Sequence, residues 1–189
     1  MKRTNWFDRQ FPLIQDNGLF PGILERLEGT AARLRSKMAI IGGDLTRSED
    51  GLPAEATSPA GVLTEAGAEA GRWSIKKEVG HLLDLEPLWH DRALQIIGNE
   101  AHLIKADLTN RKTHEANHDQ VEMADLIGRF AAEREKLMGV LSQVTEADLE
   151  KSALHPRLGT PMRLIDLAFF VAEHDDHHLA RVTEELGRR

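Results

Sequence analysis

The chain contains no cysteine. That absence excludes disulfides, thiolate catalysis and every cysteine-ligated zinc or iron–sulfur centre, so any metal must be held by histidine and carboxylate. No stretch approaches the roughly 18 consecutive apolar residues of a membrane helix. The opening MKRTNWFDRQF also lacks the continuous apolar run of a signal peptide, so a cytoplasmic protein that does not engage membranes is expected. No basic stripe is present either. The 24 Lys and Arg are interspersed with 31 Asp and Glu for a formal charge of -7, which argues against nucleic acid as a partner. No run alternates convincingly in the manner of a strand. At 189 residues the chain suits one domain, 1–189, with a single core.

What is present is helical periodicity. A first helix is expected from Phe20 to Ile41, with Ile23, Leu24, Leu27, Leu34 and Met38 on its stripe and Gly42-Gly43 as its end. Residues 43–72 are rich in Gly, Ala, Ser, Thr and Pro and read as a long connection with a helical turn at EAGAEA. A second helix begins at the cap Ser74 and runs to Ile97, with Pro87 inside it and a kink expected just past His81. The next segment of about 20 residues lacks a sustained period, and that length suits a crossover letting two helices run parallel. Asp119 and Glu122 have capping-box spacing ahead of a third helix reaching Leu141, and Thr145 with Asp148 marks a short turn. The fourth helix is expected to start with Thr160 as cap and Pro161 at its first position, and to end at Gly187. Together these predict an all-α four-helix bundle with a long crossover between helices 2 and 3.

The chemistry sits in three histidines. The fourth helix carries Leu164, Leu167, Phe170 and Val171 on its apolar stripe, and the next positions on that stripe are His174 and His178. Residues four apart on a helix differ by about 40° in azimuth and about 6 Å in rise, so both rings address one point. Imidazoles on a core face need partners, and a metal satisfies several at once. His81, in WSIKKEVGHLLDL, supplies a third ligand from another helix. Three neutral nitrogens leave coordination positions free, as catalytic metals require.

Other readings use the same letters. HDDHH has the histidine spacing of a zincin helix, with Asp175 where the catalytic Glu would be, but only eleven residues follow His178. A di-iron carboxylate bundle wants two E-x-x-H helices. Glu78-x-x-His81 fits, Glu115-x-x-His118 falls in the irregular crossover, and the fourth helix has no such motif. Glu78 lies one turn before His81, either as an acceptor or base beside the metal or as a favourable charge in the first helical turn. Asp175 and Asp176 point away as solvated charges, and His177 belongs at the site's edge. Trp73, Trp89 and Phe170 read as packing. His90, His102, His114, His118 and His155 fall in loops or on polar positions and carry no assignment.

WSIKKEVGHLLDLEP, followed some 90 residues later by an H-x-x-H-H helix, resembles the DinB-like superfamily of metalloenzymes, which includes thiol-dependent S-transferases. LFPGILERLEGTAARL is similar to that group's first helix and DLTNRKTHEANH to its crossover. The resemblance implies an up-down-down-up bundle and maps the metal ligands onto His81, His174 and His178, with His177 matching the first of the adjacent pair. Where many members continue with R-G-Q, this chain has Leu179-Ala180-Arg181. The implied chemistry is transfer of a low-molecular-weight thiol to an electrophile, with hydrolysis as the close alternative. A non-catalytic metal-binding module of the stress-response kind is the reading from a different class. Three imidazoles suit zinc, nickel, copper or iron, and the expected metal is zinc or nickel ahead of iron or manganese. The expected partner is a small-molecule substrate, and unpaired bundle faces make a homodimer the expected assembly.

Overall fold

The computed structural model describes residues 4–45 and 72–188. Most of the expected 43–72 connection, including its EAGAEA turn, lies outside the described residues. The helical segments are α1 (Phe20–Glu28), α2 (Thr30–Leu45), α3 (Ile75–Ile97), α4 (Arg111–Glu115), α5 (Met123–Leu141), α6 (Glu146–Leu149) and α7 (Leu164–Leu186). Among the described residues no helix is long and apolar enough to cross a membrane.

The class is all-α as expected, and four of the local expectations need correction. The first helix is two, broken at Gly29, where the absence of a Cβ makes helix interior costly by about 1 kcal/mol relative to Ala. Gly42-Gly43 does not end it, since α2 continues to Leu45. Asp119 is not the cap of the third helix. It sits in a 3-10 turn, His118–Gln120, accepts a hydrogen bond from the Ser74 hydroxyl, and leaves Glu122 in the residue position before α5. The reciprocal capping box belongs to α6, between Thr145 and Asp148. Finally, Pro161 does not open α7. Pro161–Arg163 forms strand β2, antiparallel to β1 (Ser152–Leu154), with Leu154 opposite Pro161. Pro161 takes the first, strand-end position, where the missing N–H is tolerated. Ser74 does cap α3, accepting from the Lys77 N–H at 3.0 Å, and Gly187 follows α7 directly.

The contacts divide the chain into two compact units, and α3, α5 and α7 each pass from one to the other. The first comprises Met1–Glu28, Pro87–Ala106 and Arg134–His177. Here the start of α7 is anchored by Asp166, which accepts from the Ile14 N–H at 2.8 Å and from Arg163 Nε at 2.8 Å. Arg92, almost fully buried, spans to the Ile104 carbonyl through Nε and Nη2 and to His155 through Nη1. Burial, helped by Arg92 and Arg157, pushes His155 down to about 4, so this imidazole is a neutral acceptor in the core. The second unit comprises Gly29–Glu86, Asp107–Glu133 and His178–Arg189. Its core packs Leu34, Val79, Leu82, Leu126, Phe130 and Val182 together, each burial favourable by roughly 1.5–3 kcal/mol.

Asp175 is the clearest departure from helix-wheel reasoning. Instead of facing solvent it is fully buried and takes a two-pronged bond from Arg134, Nη1 to Oδ2 at 2.6 Å and Nη2 to Oδ1 at 3.1 Å. Arg134 Nη1 also donates to the Leu27 carbonyl at 3.0 Å. Removing one partner of such a pair strands a buried charge. Asp175→Asn and Arg134→Met are each expected to lower unfolding free energy by about 3–5 kcal/mol in urea titrations, with the Arg134→Met/Asp175→Leu double variant losing less than the sum.

Candidate metal centre

α3 and α7 place the three predicted histidines. The first turn of α3 carries Glu78 and the second His81, while α7 carries His174 and His178 one turn apart. His81, His174 and His178 each offer a ring nitrogen, all three rings are buried, and those nitrogens lie within 4.8 Å of one another.

The groups behind two of the ligands bear on which nitrogen carries the proton. Glu78 is almost completely buried, its Oε2 lies 2.6 Å from His178 Nδ1, and its Oε1 lies 2.6 Å from Arg181 Nε. A carboxylate paired with arginine can only accept, so His178 carries its proton on Nδ1 and keeps a lone pair on Nε2. The same logic holds at His81. Thr113 Oγ1 donates its one hydrogen to Asp84 Oδ2 at 2.9 Å and lies 3.1 Å from His81 Nδ1, so it accepts from that nitrogen. Burial pushes His81 down to about 4, against the opposing pull of Asp84, and the ring is neutral when it presents Nε2. At His81 and His178 the Nδ1 atoms are tied back in the way that sets ligand orientation and basicity, and together with the three-nitrogen cluster this donor set fits a metal.

Several of these partners were not legible as site residues. His118, in the crossover, is buried and bonds Asp84 Oδ2 through Nε2 at 2.8 Å. It bears on the relay behind His81, and α4 carries Glu115 exposed to solvent, so the Glu115-x-x-His118 motif is not gathered at the three-histidine group. Asp175, in the zincin-like position, is occupied by Arg134. Asp176 pairs with Arg26 at 2.6 Å. Trp73 is more than helix-entry packing, lying 4.9 Å from the His81 ring and 6.3 Å from that of His178, nearly parallel to the latter. Trp89 and Phe170 are buried and pack edge-on, as expected. Trp6, from the N-terminal segment, stands edge-on to His174 at 5.1 Å and 5.5 Å from His177, which places His177 at the margin of the group. His114 is exposed beside Trp73, and His90 pairs with Asp91.

The family model described as the DinB superfamily matches residues 18–182. A Bacillus licheniformis protein named "Putative metal-dependent hydrolase" is 26% identical over 153 residues, covering 77% of this chain and 83% of that protein. YfiT from Bacillus subtilis, described as "a probable metal-dependent hydrolase with an unusual four-helix bundle topology", matches with a TM-score of 0.70 at 16% identity, over 95% of this chain and 93% of its own. The latter likeness shows the fold, so the periodic segments belong to a four-helix bundle.

Gly80 holds the relay behind His81 in place. A Cβ at that position would stand 2.2 Å from His118 Cγ and 2.3 Å from Cδ2, and the ring cannot yield without leaving Asp84. Gly80→Ala is expected to cost about 1–3 kcal/mol in chemical denaturation, and the Gly80→Ala/His118→Ala pair, which removes the clash, to cost less than the two single changes added together.

Proposed function

Because this chain belongs to the DinB superfamily, we propose that it is a divalent-metal-dependent enzyme of the hydrolase type acting on a small molecule. The observation that carries the reading is the gathering of His81, His174 and His178, with the His81 and His178 Nδ1 atoms already committed. The name of the Bacillus licheniformis relative supports the same chemistry. His81, His174 and His178 would hold the ion, with zinc or nickel taken ahead of iron and manganese; imidazole nitrogen suits zinc, nickel and iron, and manganese least. The ion supplies Lewis acidity to a nucleophile at its open positions, water for hydrolysis or a low-molecular-weight thiol for transfer.

The chain's own residues do the rest. Glu78 is a positioning residue: it holds the His178 ring and keeps the Nδ1 proton there, and its engagement by both His178 and Arg181 argues against its serving as a free base. Thr113 and Asp84 do the same for His81. Trp6 and Trp73 wall the histidines with apolar rings, which keeps bulk water from their edges. The reading takes 1–189 as one functional domain.

Protein purified without a metal-binding tag is expected to carry about one divalent metal per chain. His81→Ala, His174→Ala or His178→Ala should reduce this to a trace by elemental analysis, and His90→Ala should leave it unchanged. Glu78→Gln should weaken metal affinity roughly 10–100-fold in competition with a chelator dye. Full metal content in the His174→Ala/His178→Ala double variant would show the site to be misassigned.

Excess chelator is expected to lower Tm while the far-ultraviolet helix signal at room temperature persists, since the apolar core of Leu34, Leu82, Phe130 and Val182 does not depend on the ion. Activity is sought with activated esters and amides, and with thiols plus electrophiles, using the zinc, nickel, iron and manganese forms. Inactivity of every metal form across both reaction types would set the enzyme reading aside in favour of a metal-binding module.

A further inference from the structure

One wall of the three-histidine group is positively charged. Trp73 contacts the rings of His81 and His178, and two cations lie over the same indole, Lys77 Nζ at 5.8 Å and the Arg181 guanidinium at 5.7 Å from the ring centre. Lys77 Nζ also lies 2.9 Å from His114 Nδ1, and that ring is 5.7 Å from Trp73. Among the described residues the only carboxylate that meets either cation is Glu78, which takes the Nε side of Arg181 while that side chain stays 30% exposed. Glu78 is itself shared with His178. Glu78 is therefore shared between Arg181 and His178, while among the described residues the Lys77 ammonium meets only the His114 and Trp73 rings.

This is unusual placement in a chain whose formal charge is -7. Three neutral imidazoles do not offset the charge of a divalent ion, so the wall adds to an already positive centre. Low-dielectric indole beside it strengthens the local field, and a cleft lined by one sign of charge concentrates the opposite one.

We propose that the site takes a small organic acid, whose planar or apolar part lies against Trp73 and whose carboxylate or phosphonate-type oxygens are held by Lys77 and Arg181. The proposal rests on the metal-centre reading above and adds the charge class of the ligand. Lys77 acts as a point charge, and Arg181 presents guanidinium N–H groups suited to paired oxygens.

The test uses three probes that share a phenyl ring: benzoate and the neutral benzamide, which match in shape, and the tetrahedral phenylphosphonate. Each is titrated into the cobalt-loaded full chain, with calorimetry, tryptophan fluorescence and the cobalt absorption bands as readouts. The expected result is that at least one of the anions binds about tenfold tighter than benzamide, a difference of roughly 1.4 kcal/mol. That preference should shrink several-fold on the order of 0.5 M salt. Lys77→Gln should weaken the preferred anion about three- to tenfold without changing benzamide or metal content, and Arg181→Lys should weaken it with metal content checked separately. Which anion is preferred tells carboxylate from phosphonate. Equal binding of all three probes, no binding of any, or an anion preference untouched in both variants would overturn the proposal. Such a failure with about one metal still bound per chain leaves the metal centre standing, whereas a native chain that fails to load cobalt defeats that reading first.

Discussion

The 2.6 Å contact between Glu78 Oε2 and His178 Nδ1 decides what the buried centre of this protein can be. A neutral imidazole has one N–H, and a carboxylate already paired with arginine can only accept it. With that proton on Nδ1, a neutral ring has its lone pair on Nε2, and the ring offers one nitrogen to the three-histidine group. The Thr113–Asp84–His118 chain reaches the same end at His81 by a longer route. Two different hydrogen-bond chains thus impose one tautomer on two rings, a coincidence that a merely structural pair of histidines does not require.

Burying so many polar groups has a cost, and the chain answers it carboxylate by carboxylate. Glu78 is matched by His178 and Arg181, Asp84 by Thr113 and His118, and Asp175 by Arg134. The first two pairings set ligand geometry, and the third ties α7 to α5 and to the Leu27 carbonyl. His174 and Asp175 are neighbours in sequence yet serve these separate ends, because successive helical positions are about 100° apart. Stability therefore draws on Arg134–Asp175 and the apolar core.

Much of this was legible from periodicity. His174 and His178 fall where the stripe of Leu164, Leu167 and Phe170 predicts core, whereas His81 is picked out by its W-S-x-x-x-E-x-G-H context and by the family resemblance. Ser74 and Gly187 mark their helix ends through local chemistry that needs no partner far away. The misses share a cause. Pro161 reads as a helix start until Ser152–Leu154 is known to pair with it, and Asp119 reads as a cap until Ser74 is seen to donate to it. Asp175 reads as solvated until Arg134, 41 positions earlier, is found against it. The Asp119 and Asp175 contacts join segments distant in sequence, and the strands at 152–154 and 161–163 are too short to show a period, so single-sequence periodicity carries no information about them. His118 was hidden for a further reason: it lies in a crossover with no period, and its only local signal is Gly80, whose missing Cβ makes room for the ring.

The central claim is that three imidazoles, and not carboxylates, hold the metal. X-ray absorption at the metal edge of the zinc- or cobalt-loaded native chain tests it directly. The account predicts about three imidazole nitrogens near 2.0–2.1 Å, recognisable by their ring multiple-scattering, with the remainder of the shell made of light exchangeable oxygen. A shell dominated by carboxylate oxygen, or one lacking the multiple-scattering of at least two imidazoles, would contradict it.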